Sequence, residues 1–164
     1  MNKLLSVVIA ATVALLVASC AAYDGHTLKP GVSTEAQLRG LMGEPAAEFP
    51  APDGTRVLAF PRGPLGTQTY MASVGSNAVL IGVRPVLNDD TFYQVQAGMT
   101  RDDILRLIGP PGETMAFSRL RQVAWDYRYV DTWGYQAIFS VSFDERGIVV
   151  SKFTRRIDRE RGRL

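Results

Sequence analysis

Thr100-Arg101-Asp102-Asp103-Ile104-Leu105-Arg106-Leu107-Ile108-Gly109-Pro110-Pro111 is a short helix with both ends marked. Thr100 and Asp103 have capping-box spacing, so each can satisfy an amide that the first turn leaves unpaired. Asp102 and Asp103 lie where the helix dipole favours negative charge. Ile104, Leu107 and Ile108 recur at i, i+3, i+4 and form one apolar face. Gly109 can take the left-handed conformation that ends a helix, and proline beyond it prevents continuation.

A shift of 66 residues brings Thr34, Leu38, Leu41, Met42, Gly43 and Pro45 onto Thr100, Ile104, Leu107, Ile108, Gly109 and Pro111. Thr34 and Gln37 repeat the capping-box spacing. Agreement at that many positions points to one unit written twice. In the second copy, Asn88-Asp89-Asp90 reads as an earlier helix start, with Phe92 and Val95 as its apolar face and Gly98 as its stop. In the first copy the corresponding helix is poorly marked, because His26–Pro30 is short and broken.

Strands follow each helical part. Val123, Trp125, Tyr127 and Tyr129 alternate with Gln122, Ala124, Asp126 and Arg128, the period-two pattern of a half-buried strand. Phe139, Val141 and Phe143 form the next, Asp144–Gly147 a turn, and Ile148–Phe153 the third. The first half has weaker counterparts at Arg56–Phe60, Tyr70–Val74 and Val79–Val83, with Gly75–Ala78 as a turn and Pro61–Gly66 as a loop. The expected fold is α+β: two tandem helix-helix-strand-strand-strand units over about 28–88 and 89–157. Helices would cover one face of an antiparallel sheet, which the two units could share. One such unit alone would bury too little surface to be more than marginal.

The first nineteen residues read as an export signal rather than as part of the fold. A basic start at Lys3 precedes a stretch from Leu4 to Ala18 whose only polar residues are Ser6 and Thr12. That run is shorter than the roughly 20 residues a spanning helix needs. Val17-Ala18-Ser19-Cys20 resembles the lipobox of bacterial lipoproteins. A thiol there accepts diacylglycerol as a thioether, and cleavage frees the Cys20 amine for a further acyl chain such as palmitate. Two or more chains give a stable membrane anchor. An ordinary secretory signal with a chance cysteine is the alternative. Ala21, in place of an aspartate, implies outer-membrane sorting by resemblance to enterobacterial lipoproteins. Residues 20–27 would be the tether and 158–164 a basic tail.

Gly98-Met99-Thr100, the hydrophobic helix, Gly109-Pro110-Pro111, the aromatic strands and Phe143-Asp144 resemble the SmpA/OmlA family. Its best-known member is component E of the outer-membrane β-barrel assembly (Bam) machinery. The resemblance is good over about 88–157 and weaker over 28–87. It implies a non-catalytic, lipid-anchored, periplasm-facing scaffold in outer-membrane protein assembly or envelope integrity, with assembly-machinery proteins as partners. The tandem layout departs from the family's single unit and is similar to that of β-lactamase inhibitor proteins (BLIP). An inhibitor or sensor of an envelope enzyme is therefore the alternative.

Little in the chain suggests catalysis. The only histidine, His26, falls in the tether, and Cys20 is the only cysteine, so a zinc cluster lacks ligands. Asp89-Asp90 and Asp102-Asp103 are explained as helix-start residues. No catalytic residue, metal or cofactor is expected beyond the lipid on Cys20. A net charge of +2 is too balanced for a general nucleic-acid binder. Two features could carry binding. The first is aromatic: of Phe92, Tyr93, Phe117, Trp125, Tyr127, Tyr129, Trp133 and Tyr135 most read as core, while Trp133, in the Asp131–Gly134 loop, has the residue type favoured as an interface anchor. From Ser151 to Leu164, Lys152, Arg155, Arg156, Arg159, Arg161 and Arg163 face only Asp158 and Glu160. Arginine forks there suit anionic lipid headgroups or an acidic partner surface; a solvated tail is the plainer reading.

Overall fold

A computed structural model of the protein describes residues 27–62 and 66–157. The expected signal, Cys20, His26 and the 158–164 tail lie outside those residues. The element order is α1 (Glu35–Met42), β1 (Ala47–Pro50), β2 (Arg56–Arg62), β3 (Gln68–Val74) and β4 (Leu80–Pro85). Then come α2 (Asp89–Tyr93), α3 (Arg101–Ile108), β5 (Glu113–Phe117), β6 (Gln122–Val130), β7 (Gln136–Phe143) and β8 (Val149–Arg156).

The marked helix ends form as the side-chain chemistry dictates. Thr34 with Gln37, and Thr100 with Asp103, make complete capping boxes. Gly43 and Gly109 close the two helices at φ 74° and 81°, a region that costs other residues energy. Asn88 caps α2 by accepting from the Thr91 amide at 2.9 Å.

Four expectations need correction. Each half has four strands where three were expected, because β1 and β5 add an edge to each sheet. β5 is exposed at every residue, so it carries no period-two hydrophobic signal. Among the described residues no helix precedes α1, since Pro30–Val32 form a turn with Gly31 at φ 76°. β2 runs on through Pro61 and Arg62, which were assigned to a loop. Finally there is no shared sheet: β1–β4 and β5–β8 are two separate antiparallel sheets, each in sequential order.

The sheets are built alike. Leu58 pairs with Ala72 and Trp125 with Val141. A bulge falls between Ser73 and Val74 and again between Ser142 and Phe143. Isolated bridges join Thr34 to Val79 and Thr100 to Ile148, fixing each helix start to the turn before its sheet's last strand.

Helices do not stay on one face of one sheet. Leu38 and Met42 of α1 pack on Leu58, Phe60, Ala72 and Val74 of the first sheet. Ile104 and Ile108 of α3, with Phe92 and Val95, pack on Tyr127, Tyr129, Phe139, Val141 and Phe143 of the second. Leu105, on the other side of α3, packs with Phe49, Ala59, Met71 and Val86 against the far face of the first sheet. The layers therefore run α1, first sheet, α2–α3, second sheet. Tyr127 ties the last two together, donating its hydroxyl to the Gly109 carbonyl at 3.1 Å. Burial drives the Tyr127 phenol well above its ordinary value, so it stays a donor.

Candidate functional site: the tip of the second sheet

The β6–β7 connection, Asp131–Tyr135, stands at one end of the second sheet. Its shape is set by the Asp131 carboxylate, which accepts from the Trp133 and Tyr135 amides, both at 2.9 Å. Such local side-chain-to-backbone bonds define a tight turn. Arg156 of β8 donates from Nε to the other Asp131 oxygen at 2.7 Å. Its guanidinium lies 4.6 Å from the Tyr135 ring centre. Burial pulls the Asp131 carboxyl upward, but the Tyr135 amide, Arg156 and the Trp133 amide outweigh it and hold the group below its ordinary value. The turn is thus pinned while Trp133 projects from it, 78% exposed.

α2 braces the same turn. Asp89 accepts from the Tyr129 hydroxyl at 2.8 Å and from the Thr132 hydroxyl at 2.7 Å. Burial, and then the bond to Asp89, push the Tyr129 phenol up to about 12. Asp89 is therefore more than a helix-start residue, because its carboxylate is spent on the turn. At the C-terminal end of α2, Lys152 donates to the Phe92 and Tyr93 carbonyls, both at 3.0 Å, where the helix dipole favours a cation. Its ammonium also sits 5.6 Å from the ring centre of Tyr93, which is 79% exposed. Exposed aromatic rings with cations beside them, on a pinned turn, make a surface suited to binding a protein.

Of the four residues singled out for binding, Trp133 and Arg156 come together through Asp131. Arg155 does not join them. It directly precedes Arg156 on the strand, and alternation turns it to the opposite sheet face, where its Nη2 lies 4.0 Å from Asp126. Arg159 lies outside the described residues. Residues 151–156 are a paired strand, so the solvated-tail reading does not hold for them. Sequence reasoning named Tyr93 and Tyr135 among the aromatic candidates but missed Asp131 and Asp89 as site members. The one available signal was Asp131 two residues before Trp133, the spacing of a side-chain-closed turn. Among the described residues no group of three His, Cys, Asp or Glu could hold a metal, and no helix is long and apolar enough to cross a membrane.

The described residues thus form a layered α+β arrangement of two four-stranded antiparallel sheets, with a pinned aromatic turn at the tip of the second. Residues 85–152, the α2–α3 layer and most of the second sheet, match the family model described as the outer membrane protein assembly factor BamE domain. That stretch is similar to the BamE domain. Solved structures similar to the chain include a DUF4309 family protein, YjgB, from Bacillus subtilis, at 14% identity over 80% of this chain and 83% of that one, TM-score 0.31. Another is a protein described as a candidate beta-lactamase inhibitor from Streptococcus mutans, at 12% identity over 75% and 82%, TM-score 0.30. No curated protein matches the chain.

Proposed function

We propose that the protein is an outer-membrane lipoprotein that serves as a non-catalytic binding module in the assembly of outer-membrane β-barrel proteins. The observation that carries this is the BamE-domain match over 85–152. Lipidation of Cys20 would confine the domain to the periplasmic side of the outer membrane. Tethering raises its effective concentration for membrane-bound partners without any new contact. In this reading the first half is a diverged copy of the same unit, supported by the matching caps, bulges and bridges. The pinned turn carrying Trp133, with Tyr135 and Arg156, is the partner-binding surface.

Two measurements on the full chain in cells test this. Wild-type protein should fractionate with outer membranes, and Cys20→Ala should appear in the soluble periplasmic fraction. A photoreactive residue at position 133 should crosslink to assembly-machinery components. Crosslinks to an envelope hydrolase or β-lactamase instead would overturn the assembly role in favour of an inhibitor.

A further inference from the structure

The two sheets are covered unequally. On the far face of the first sheet, α3 fills the space over Phe49, Ala59 and Met71 with Leu105. Arg106 beside it places its guanidinium 5.8 Å from the Phe49 ring centre and donates to the Pro50 carbonyl at 3.1 Å. The helix ends there, with Gly109 so close that a Cβ on it would lie 3.1 Å from Thr69 Cγ2. This is a seat for the last turn of a helix that carries a leucine next to an arginine.

The second sheet has a corresponding place on its far face, and no described helix packs over it. Matching the strand registers sets Met115 at the place of Phe49, Asp126 at that of Ala59 and Ser140 at that of Met71. Phe153 stands across from Ser140 on β8. Its floor is buried and mostly polar: Ala124, Ser140 and Asp126. Its walls are apolar and open, with Met115 at 44% and Phe153 at 51% exposure.

One substitution sets the chemistry of this seat. Where the first sheet has the methyl of Ala59, the second has the Asp126 carboxylate, only 4% exposed. It accepts from the Ser140 hydroxyl at 2.6 Å, and the guanidinium of Arg155 stops at 4.0 Å. A buried carboxylate is costly unless a cation and hydrogen bonds compensate it. A pocket of about 300 Å³, lined by Gly112, Glu113, Asp126 and Arg128, opens beside it, with Arg128 paired to Glu113 at 3.5 Å.

We propose that this face of the second sheet receives the end of an α-helix from a partner protein. The helix would carry a large aliphatic side chain between Met115 and Phe153, and a neighbouring arginine or lysine reaching Asp126. The proposal rests on the binding-module reading above and names a second surface for it, on the opposite sheet face from Arg156.

The test places a photoreactive residue singly at positions 115, 153 and 133 of the full chain in cells, with crosslinked peptides sequenced by mass spectrometry. Positions 115 and 153 should join one helix-terminal peptide that has an aliphatic residue beside a basic one. Asp126→Arg should cut that yield at least tenfold, and reversing the partner's basic residue to Glu should restore it. Phe153→Glu, on an exposed side chain, should also cut it with an unchanged melting temperature, which covers the case in which Asp126→Arg does not fold. Adducts from 133 with none from 115 or 153 would overturn this seat and leave the binding-module reading standing. No adduct from any position would overturn both. Crosslinks from 115 and 153 to a second copy of the chain, to residues 158–164 or to lipid would overturn the helix-end proposal.

Discussion

Among the described residues, helices pack on both faces of the first sheet and on one face of the second. The same contrast appears at corresponding helix positions. Glu35, the first residue of α1, bonds to Arg39 and Arg56, and Arg39 extends the network to Glu44 and Glu48. Arg101, the first residue of α3, instead lies against aromatic rings, 5.5 Å from the centre of Phe143 and 6.0 Å from that of Trp125. One scaffold thus supports a charged solution in one half and an aromatic one in the other. In the binding-module reading proposed above, the first half serves as support and the second half carries the binding surfaces.

The contrast can be broken hardest at α3, which belongs to both cores. Ile108→Ala should cost about 2–5 kcal/mol, because the side chain is fully buried and the cavity cannot collapse from both sides. Urea unfolding measured at both sheets should move together, since α3 is the layer they share.

The two helix-ending glycines sharpen the contrast. Gly43→Ala should cost about 1–2 kcal/mol, the penalty of the left-handed conformation, because its Cβ would meet only an Arg62 side-chain end at 3.9 Å. Gly109→Ala carries that penalty plus a clash with Thr69 of the first sheet, for about 2–4 kcal/mol. Equal losses in paired thermal melts would mean that α3 is not seated on that sheet.

Acid should separate the halves next. Burial raises the Glu35 carboxyl, but Arg39 and Arg56 together hold it below its ordinary 4.5. A carboxylate lowered in the folded state adds stability that is complete above its unfolded value. That stability is lost as pH falls through the folded value. Glu35→Gln should therefore cost about 1–3 kcal/mol at pH 7 and progressively less as pH falls below 4.5, converging on wild type. Parallel pH–stability curves for the two proteins would refute the network's contribution. The smallest effect belongs to the exposed turn: Trp133→Ala should change stability by less than about 0.5 kcal/mol while losing crosslinks to partners.

Much of this was legible locally. The limits of β6 follow from strict alternation, and both capping boxes follow from a threonine and its partner three residues on. The edge strands β1 and β5 were not legible, because an edge exposed on both sides needs no hydrophobic period. Leu105 was the overlooked residue. It breaks the single apolar face formed by Ile104, Leu107 and Ile108, and a leucine on the opposite side of a helix signals a second layer. At the turn, Trp133 could be picked out by type and place, but the carboxylates that hold it could not. Asp89 and Asp131 are separated by 42 positions and meet only through the α2–β6 packing.

By itself the sequence determined what depends on neighbours along the chain: where helices start and stop, which strands alternate, and that the helix motif occurs twice. The tertiary structure decided what depends on which surfaces meet. It split the expected single sheet into two, because α3 has apolar side chains on two sides and must bury both. It sent Arg155 and Arg156 to opposite faces, because successive strand residues point apart. It also set Asp126 on a sheet face over which no described helix packs, where the corresponding Ala59 lies under α3. Burial is a property of the partner layer as much as of the residue, and no local pattern encodes which layer arrives.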